Sequence, residues 1–137
     1  MKLSTPISIR SAVVTLVVTA AVGTAQGQEA STGAGSGQAA FNNNCRTCHS
    51  VKEGDNRMGP SLSRIVGAKS GTREGYPNYS QAMKTASVTW DEQTLDRFIE
   101  NPEQVVPNNN MKPYKGVPDA QVRKSIVEYL KGAAGKP

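Results

Sequence analysis

The sequence predicts an all-α domain whose centre is filled partly by a bound group. Apolar residues recur at helical spacing, and no segment shows the alternation of apolar and polar residues that marks a half-buried strand. Only 36% of the 137 residues are hydrophobic and 5% are aromatic, a thin supply for the core of a domain of this size. We therefore expect one small domain with three main helices, further short helices and long loops wrapped around one group.

The first half of the chain contains one main helix and one short helix. The first helix is predicted over residues 38–49, with Ser36 as its N-cap. Glycines and prolines then punctuate the chain between residues 59 and 77, which predicts a long loop. A short helix is expected over residues 80–86.

The second half of the chain contains the other two main helices. Thr89 and Glu92 match a capping box, and the helix that they begin should end at Asn101-Pro102. The last helix should start at Pro118 and end at Gly132. Its apolar face recurs at helical spacing and comprises Val122, Ile126, Tyr129 and Leu130.

Residues 1–27 have the pattern of a secretory signal peptide. Basic residues precede the apolar run 12–23, and small residues allow cleavage after Ala25 or Gly27. An uncleaved membrane anchor is the alternative, although this run is about 12 residues long and a span needs about 20. We expect removal of the segment and a soluble mature protein in a periplasm or an equivalent exported compartment.

The mature chain should begin with a flexible tail over the Gly- and Ser-rich residues 28–35, followed by the folded domain over residues 36–137. Loss of the signal removes two of the 16 Lys and Arg residues and none of the 11 Asp and Glu residues, so the net charge falls from +5 to +3. The remaining basic residues are scattered and are not interleaved with aromatic ones. The composition therefore argues against a nucleic-acid partner.

The segment Cys45-Arg46-Thr47-Cys48-His49 holds both cysteines and the only histidine. In an exported chain this spacing is typical of covalent c-type haem attachment. Positions i, i+3 and i+4 share one helical face, so two thiols can add to the two vinyl groups of a porphyrin while the imidazole reaches the iron. A redox-active dithiol and a zinc site are the alternatives, but the first lacks a surrounding βαβ pattern and the second lacks ligands. A haem would also supply the apolar core that the side chains lack.

An electron-transfer haem needs a second axial ligand, and a methionine thioether in that position raises the reduction potential. Met111 follows residues 107–110, a loop of turn-forming residues that could cover a haem face, and we expect it to be the ligand. Met83 lies in the predicted short helix and is expected to fill the core. Met58 is close in sequence to His49 and is not expected to reach the other haem face. An open sixth position is the remaining alternative.

These residues together resemble the class I cytochromes c, most closely the cytochrome c2 and mitochondrial branch, over residues 37–130. Several matches in the same order as in that family carry the resemblance: Gly37 and Phe41, the haem motif, Gly59-Pro60-Ser61-Leu62, Tyr79, Trp90, Pro107 with Met111, and Ile126 with Tyr129. The resemblance implies a small cytochrome c fold around one covalently attached haem (heme c).

The resemblance also implies roles for individual residues. The Pro60 carbonyl would accept a hydrogen bond from His49, and Tyr79 and Trp90 would donate to a haem propionate. Phe98 would line the haem pocket. The last helix would pack, through Ile126 and Tyr129, on the first helix near Gly37 and Phe41.

Three positions depart from the family pattern. Residues 108–110 are Asn-Asn-Asn where the family often has Gly-Thr-Lys, and we expect Asn109 still to bond a propionate. Phe98 stands where the family has a tyrosine that bonds the methionine sulfur. Ala68 replaces an arginine near a propionate, for which Arg73 is a candidate substitute.

The implied function is one-electron transfer, with no enzyme activity, since no nucleophile–base pair, phosphate loop or carboxylate pair is present. Expected partners are membrane or periplasmic redox proteins, such as a reductase donor and an oxidase, reaction-centre or dehydrogenase partner. The protein should be a monomer without stable membrane insertion. Two alternatives are a haem enzyme or gas sensor with a labile sixth site, and a bound subunit of an exported dehydrogenase. Candidate docking charges are Arg46, Lys52, Lys69, Lys112 and Lys115.

Overall fold

The computed structural model describes residues 34–133, and within them it confirms the all-α class. In chain order the helices are α1 Ala34–Asn44, α2 Gln81–Thr85, α3 Glu92–Glu100, α4 Pro102–Val105 and α5 Ala120–Gly132. Turns and loops join them, with one antiparallel bridge between Lys69 and Thr89. None of these helices has both the length and the apolar character that a bilayer span needs. The predicted signal peptide and most of the predicted tail lie outside the described residues.

The first helix begins and ends earlier than its predicted bounds of 38–49. It already includes residues 34 and 35, which had been assigned to the tail, and it ends at Asn44. The Arg46 N–H bonds to the Phe41 carbonyl five residues back, at 3.1 Å, which breaks the helical repeat. Cys45 to His49 therefore form a separate turn, closed by a 2.9 Å bond from the His49 N–H to the Cys45 carbonyl.

The cap of α3 also differs from the prediction. Asp91, and not Thr89, is the N-cap, and its carboxylate accepts from the Thr94 N–H at 2.7 Å. Thr89 is instead paired in the bridge with Lys69. The helix ends before Asn101 as expected, but Asn101 then caps a second helix, α4, which the sequence analysis did not predict.

The last helix has the predicted apolar face and the predicted end but begins later than predicted. Asp119 is its N-cap, so Pro118 precedes the helix and does not begin it, and Gly132 is its final residue. Ile126 and Leu130 are buried, while Val122 and Tyr129 are half-buried.

The packing of α1 on α5 brings the two ends of the domain together. The Phe41 and Tyr129 rings lie 5.3 Å apart between centroids, as the family resemblance implied. Gly37 makes this approach possible, because a β-carbon there would lie 2.6 Å from the Ser125 carbonyl oxygen and 2.9 Å from the Tyr129 β-carbon. The absence of a side chain at residue 37 therefore fixes how closely the two helices approach.

We predict that Gly37→Ala lowers the free energy of unfolding by about 1–3 kcal/mol, because backbone atoms of α5 would have to move. Urea unfolding of the holoprotein measures this change. Gly132→Ala is the matched control, since a β-carbon there meets no atom within 4 Å. Equal stability of the two variants would show that the helices can separate at no cost.

Candidate functional site

A central cavity takes the place of a continuous side-chain core. Cys45, Cys48 and His49 line it from the turn after α1, and Met111 lines it from the loop after α4. The rest of the wall is largely apolar and includes Leu62, Ile65, Met83, Leu95, Phe98, Ile99, Ile126 and Leu130. The low hydrophobic content thus corresponds to a cavity in the middle of the protein.

His49 is buried and held in one orientation by the loop that follows it. Its Nδ1 lies 2.8 Å from the Pro60 carbonyl oxygen, and since a carbonyl can only accept, Nδ1 carries the proton. Nε2 is then left with a free lone pair, which is the form that binds a metal. Burial lowers the pKa of His49, so the imidazole is neutral at pH 7.

Gly59 allows the loop to pass directly over the imidazole. A β-carbon at residue 59 would lie 2.2 Å from His49 Cε1, well inside van der Waals contact. The Gly59 N–H bonds to the Cys48 carbonyl at 2.8 Å, which fixes the loop to the cysteine turn. The loop and the histidine therefore form one rigid unit.

The two thiols are free and half-buried. Burial, together with neighbouring Cys48, raises the pKa of the Cys45 thiol to about 12. Redox-active cysteine pairs instead have lowered thiol pKa values that make the thiolate available. The environment of Cys45 therefore argues against the dithiol alternative.

The loop that carries Met111 is held by hydrogen bonds to its backbone. The Met111 N–H donates to Asn109 Oδ1 at 2.9 Å, and the Met111 carbonyl accepts from the Tyr114 N–H at 3.0 Å. Asn108 has a positive φ of 62°, a conformation that asparagine adopts more readily than most residues. Asn108 is therefore compatible with the backbone conformation that this turn requires.

In this structure Asn109, the residue expected to bond a propionate, has both amide N–H groups bonded within the chain. Asn109 is buried, and its Nδ2 already donates to Glu103 Oε1 at 2.8 Å and to the Val106 carbonyl at 3.0 Å. A carboxylate needs a donor, and both amide N–H groups are used. Asn109 stabilises the Met111 loop through these bonds and through the bond that its Oδ1 accepts from the Met111 N–H.

Polar donors gather at another part of the cavity wall. Tyr79 and Trp90 line the cavity, and the Trp90 ring packs at an angle of 57° against Phe98, with the ring centroids 4.7 Å apart. The Tyr79 hydroxyl accepts from the Arg73 backbone N–H at 3.3 Å, which leaves the hydroxyl proton available to a ligand. The Arg73 guanidinium donates to the Ser63 carbonyl, while its Nε is buried without a partner among the described residues.

Some residues of the site were not found from the sequence. Tyr114 lines the cavity, and its hydroxyl donates to the Ile99 carbonyl at 3.1 Å, which ties the Met111 loop to α3. Tyr76 also lines the cavity and donates to the Met58 carbonyl at 2.6 Å. Met58 itself is exposed at the cavity edge. All three lie in loops, where no periodic pattern marks them.

The cavity fits an iron porphyrin. An apolar wall suits the ring, and two thiols and a neutral imidazole meet the needs of covalent attachment and iron ligation. The fold and site define a small all-α protein of the c-type haem class.

Comparison with known proteins identifies the family. The cytochrome c family model matches residues 34–134, and the chain belongs to this family. It is 42% identical over 90 residues to cytochrome c2 of Rhodomicrobium vannielii, covering 63% of this chain and 68% of that protein. It is 40% identical over 94 residues to cytochrome c2 of Rhodopila globiformis, covering 69% and 87%.

A solved structure gives the same result. Cytochrome cH from Methylobacterium extorquens superimposes with a TM-score of 0.65 at 35% identity, covering 72% of this chain and 97% of that one. The protein is therefore a class I, cytochrome c2-like protein with one covalently attached haem c, and it is a monohaem electron carrier.

We predict that Gly59→Ala sharply reduces the yield of haem-containing protein, because the new methyl group would displace the His49 ring. The ratio of haem absorbance to polypeptide measures the yield. Gly132→Ala, which meets no neighbour within 4 Å, should retain full haem content. Normal haem loading of Gly59→Ala would show that His49 does not need this orientation.

Proposed function

We propose that the protein is a soluble periplasmic one-electron carrier. Cys45 and Cys48 hold the haem through thioether bonds, and His49 and Met111 are its axial ligands. One observation carries the proposal: His49 and Met111 line the same cavity, and each is fixed by hydrogen bonds independent of the other. Export rests on the signal-like pattern of residues 1–27, and sequencing of the mature N-terminus tests its removal.

The bound haem iron supplies a ferrous–ferric couple that takes up or releases one electron. The residues of the chain keep the surroundings constant during that exchange. Pro60 and Gly59 hold the imidazole, and Asn109 and Tyr114 hold the backbone of Met111. The apolar wall would exclude water, and with His49 and Met111 both holding the iron no position would remain for a substrate, which favours a carrier over an enzyme or gas sensor.

Arg73, Tyr79 and Trp90 are proposed to bind a haem propionate. Trp90 is buried, and a buried indole N–H needs an acceptor. Arg73 lies close enough to the Tyr79 hydroxyl for its charge to act against the burial that raises the pKa of Tyr79. Arg73 would thus supply the positive charge that is absent at Ala68.

Redox proteins of the periplasm or membrane are the proposed partners of the monomeric protein. Exposed residues at the cavity edge mark the face through which an electron would pass: Asn44, Met58, Asn78, Asn110, Lys112 and Pro113. The charge of Lys112 is paired with Glu103 at 2.7 Å. The edge is therefore nearly neutral, and it fits docking by small, largely uncharged contacts better than docking by a basic ring.

We predict that Met111→Ala abolishes the methionine–iron absorption band of the ferric protein and lowers the reduction potential, because thioether ligation raises it. Visible spectroscopy with a redox titration measures both. Met83→Leu is the control, since Met83 also lines the cavity and should only fill space. An unchanged spectrum in Met111→Ala would favour an open sixth position and hence the enzyme or sensor alternative.

We predict that Arg73→Gln lowers the reduction potential and makes it more dependent on pH, because a propionate would lose the cation that neutralises it. Potentiometry over a range of pH measures the effect. Arg64→Gln is the control, because Arg64 is an exposed arginine paired with Glu53. Identical pH profiles for the two variants would contradict the propionate role of Arg73.

A further inference from the structure

The loop that carries Met111 has little apolar contact of its own. Pro107, Asn108, Asn110 and Lys112 are exposed, and Asn109 is the buried residue among them. Met111 packs against the apolar core, but the exposed, Asn-rich residues before it gain little from hydrophobic burial, so their position depends on polar contacts.

The Glu103 carboxylate accepts three of those contacts. Glu103 Oε1 accepts from Asn109 Nδ2 at 2.8 Å and from Lys112 Nζ at 2.7 Å. Glu103 Oε2 accepts from the Asn108 N–H at 3.1 Å. The Lys112 ammonium and the Asn108 N–H hold the pKa of Glu103 below its usual range, so the group is charged at neutral pH.

Glu103 is connected to Met111 through one residue, Asn109. Asn109 receives its orientation from Glu103 and Val106, and its Oδ1 then accepts from the Met111 N–H at 2.9 Å. Loss of the Glu103 carboxylate would leave the Asn109 amide held by the Val106 carbonyl alone, which weakens the hold on the Met111 backbone.

Glu103 is itself well placed to act as an anchor. Its backbone N–H bonds to Asn101 Oδ1 at 3.2 Å, and the preceding Pro102 is buried at the start of α4. The carboxylate therefore projects from a fixed short helix, while the residues it holds belong to a loop.

We propose that Glu103 is a positioning residue that keeps Met111 on the haem iron. This inference rests on the proposed ligation by Met111. Glu103 acts through its bonds to Asn108 and Asn109; its exposed ion pair with Lys112 contributes little, as exposed pairs usually do.

The test is a titration of the ferric holoprotein with imidazole. The loss of the methionine–iron absorption band measures how much imidazole has bound. Imidazole binds only where Met111 has left the iron, so its apparent affinity rises with the population of that open state. We expect Glu103→Gln to bind imidazole about tenfold more tightly than the unsubstituted protein, and Glu103→Ala more tightly still, because bonds to a charged acceptor are lost.

Two further variants serve as controls. Glu92 has a similar exposure, 48% against 44%, and pairs with Lys131 at 2.8 Å, so Glu92→Gln removes a comparable surface ion pair far from the loop. Lys112→Gln removes only the cation from Glu103. Both should bind imidazole nearly as the unsubstituted protein does. Urea unfolding of each variant separates a local change at Met111 from general destabilisation.

The outcomes decide between the possible failures. If the unsubstituted protein lacks the methionine–iron band, the ligation itself is wrong and the role of Glu103 is overturned with it. If the band is present and Glu103→Gln matches Glu92→Gln, ligation stands and the proposal for Glu103 fails. If Lys112→Gln binds imidazole as tightly as Glu103→Gln does, the ion pair between Lys112 and Glu103 holds the loop. The proposed action of Glu103 through Asn108 and Asn109 is then wrong.

Discussion

The arrangement of the rest of the molecule depends on the apolar cavity at the centre of the fold. Its wall draws on the cysteine turn, the long loop, α2, α3, α5 and the Met111 loop, so these elements meet around a space that a porphyrin fills. Contacts across that space depend on the haem, whereas α1 and α5 also pack directly on each other at Gly37. Folding should therefore be coupled to haem attachment, while the contacts of α5 with α1 and with α3 are ones that side chains alone can build.

The two proposed axial ligands are held in different ways. His49 sits under a loop so close that residue 59 must be glycine, and one carbonyl sets its tautomer. Met111 stands on an exposed loop that is fixed by amide and carboxylate hydrogen bonds. His49 is confined sterically, whereas Met111 is held by polar contacts at an exposed loop. Such contacts open at a lower free energy than tightly packed contacts do, so Met111 should be the ligand that is more easily displaced.

Much of the fold and site could be predicted from local patterns. The Cys45–His49 spacing and the apolar face of α5 are short-range features, and the low hydrophobic content pointed to a bound group. Local patterns did not suffice where a contact with a residue distant in sequence determines the structure. Thr89 does not cap α3 because it pairs with Lys69, and the Asn109 amide bonds to Glu103 and Val106, which no local pattern shows. The unpartnered Nε of Arg73 likewise depends on its approach to Ser63, which no spacing in the sequence reveals.

The covalent link between the polypeptide and its haem is the central claim, and intact-mass measurement tests it most directly. The protein is expressed with its full chain in a host that matures c-type cytochromes, then denatured, extracted with acidified solvent and treated with a thiol-alkylating reagent. We expect a polypeptide that keeps the mass of one haem and takes up no alkyl group at Cys45 or Cys48. A colourless polypeptide alkylated at both cysteines would contradict it.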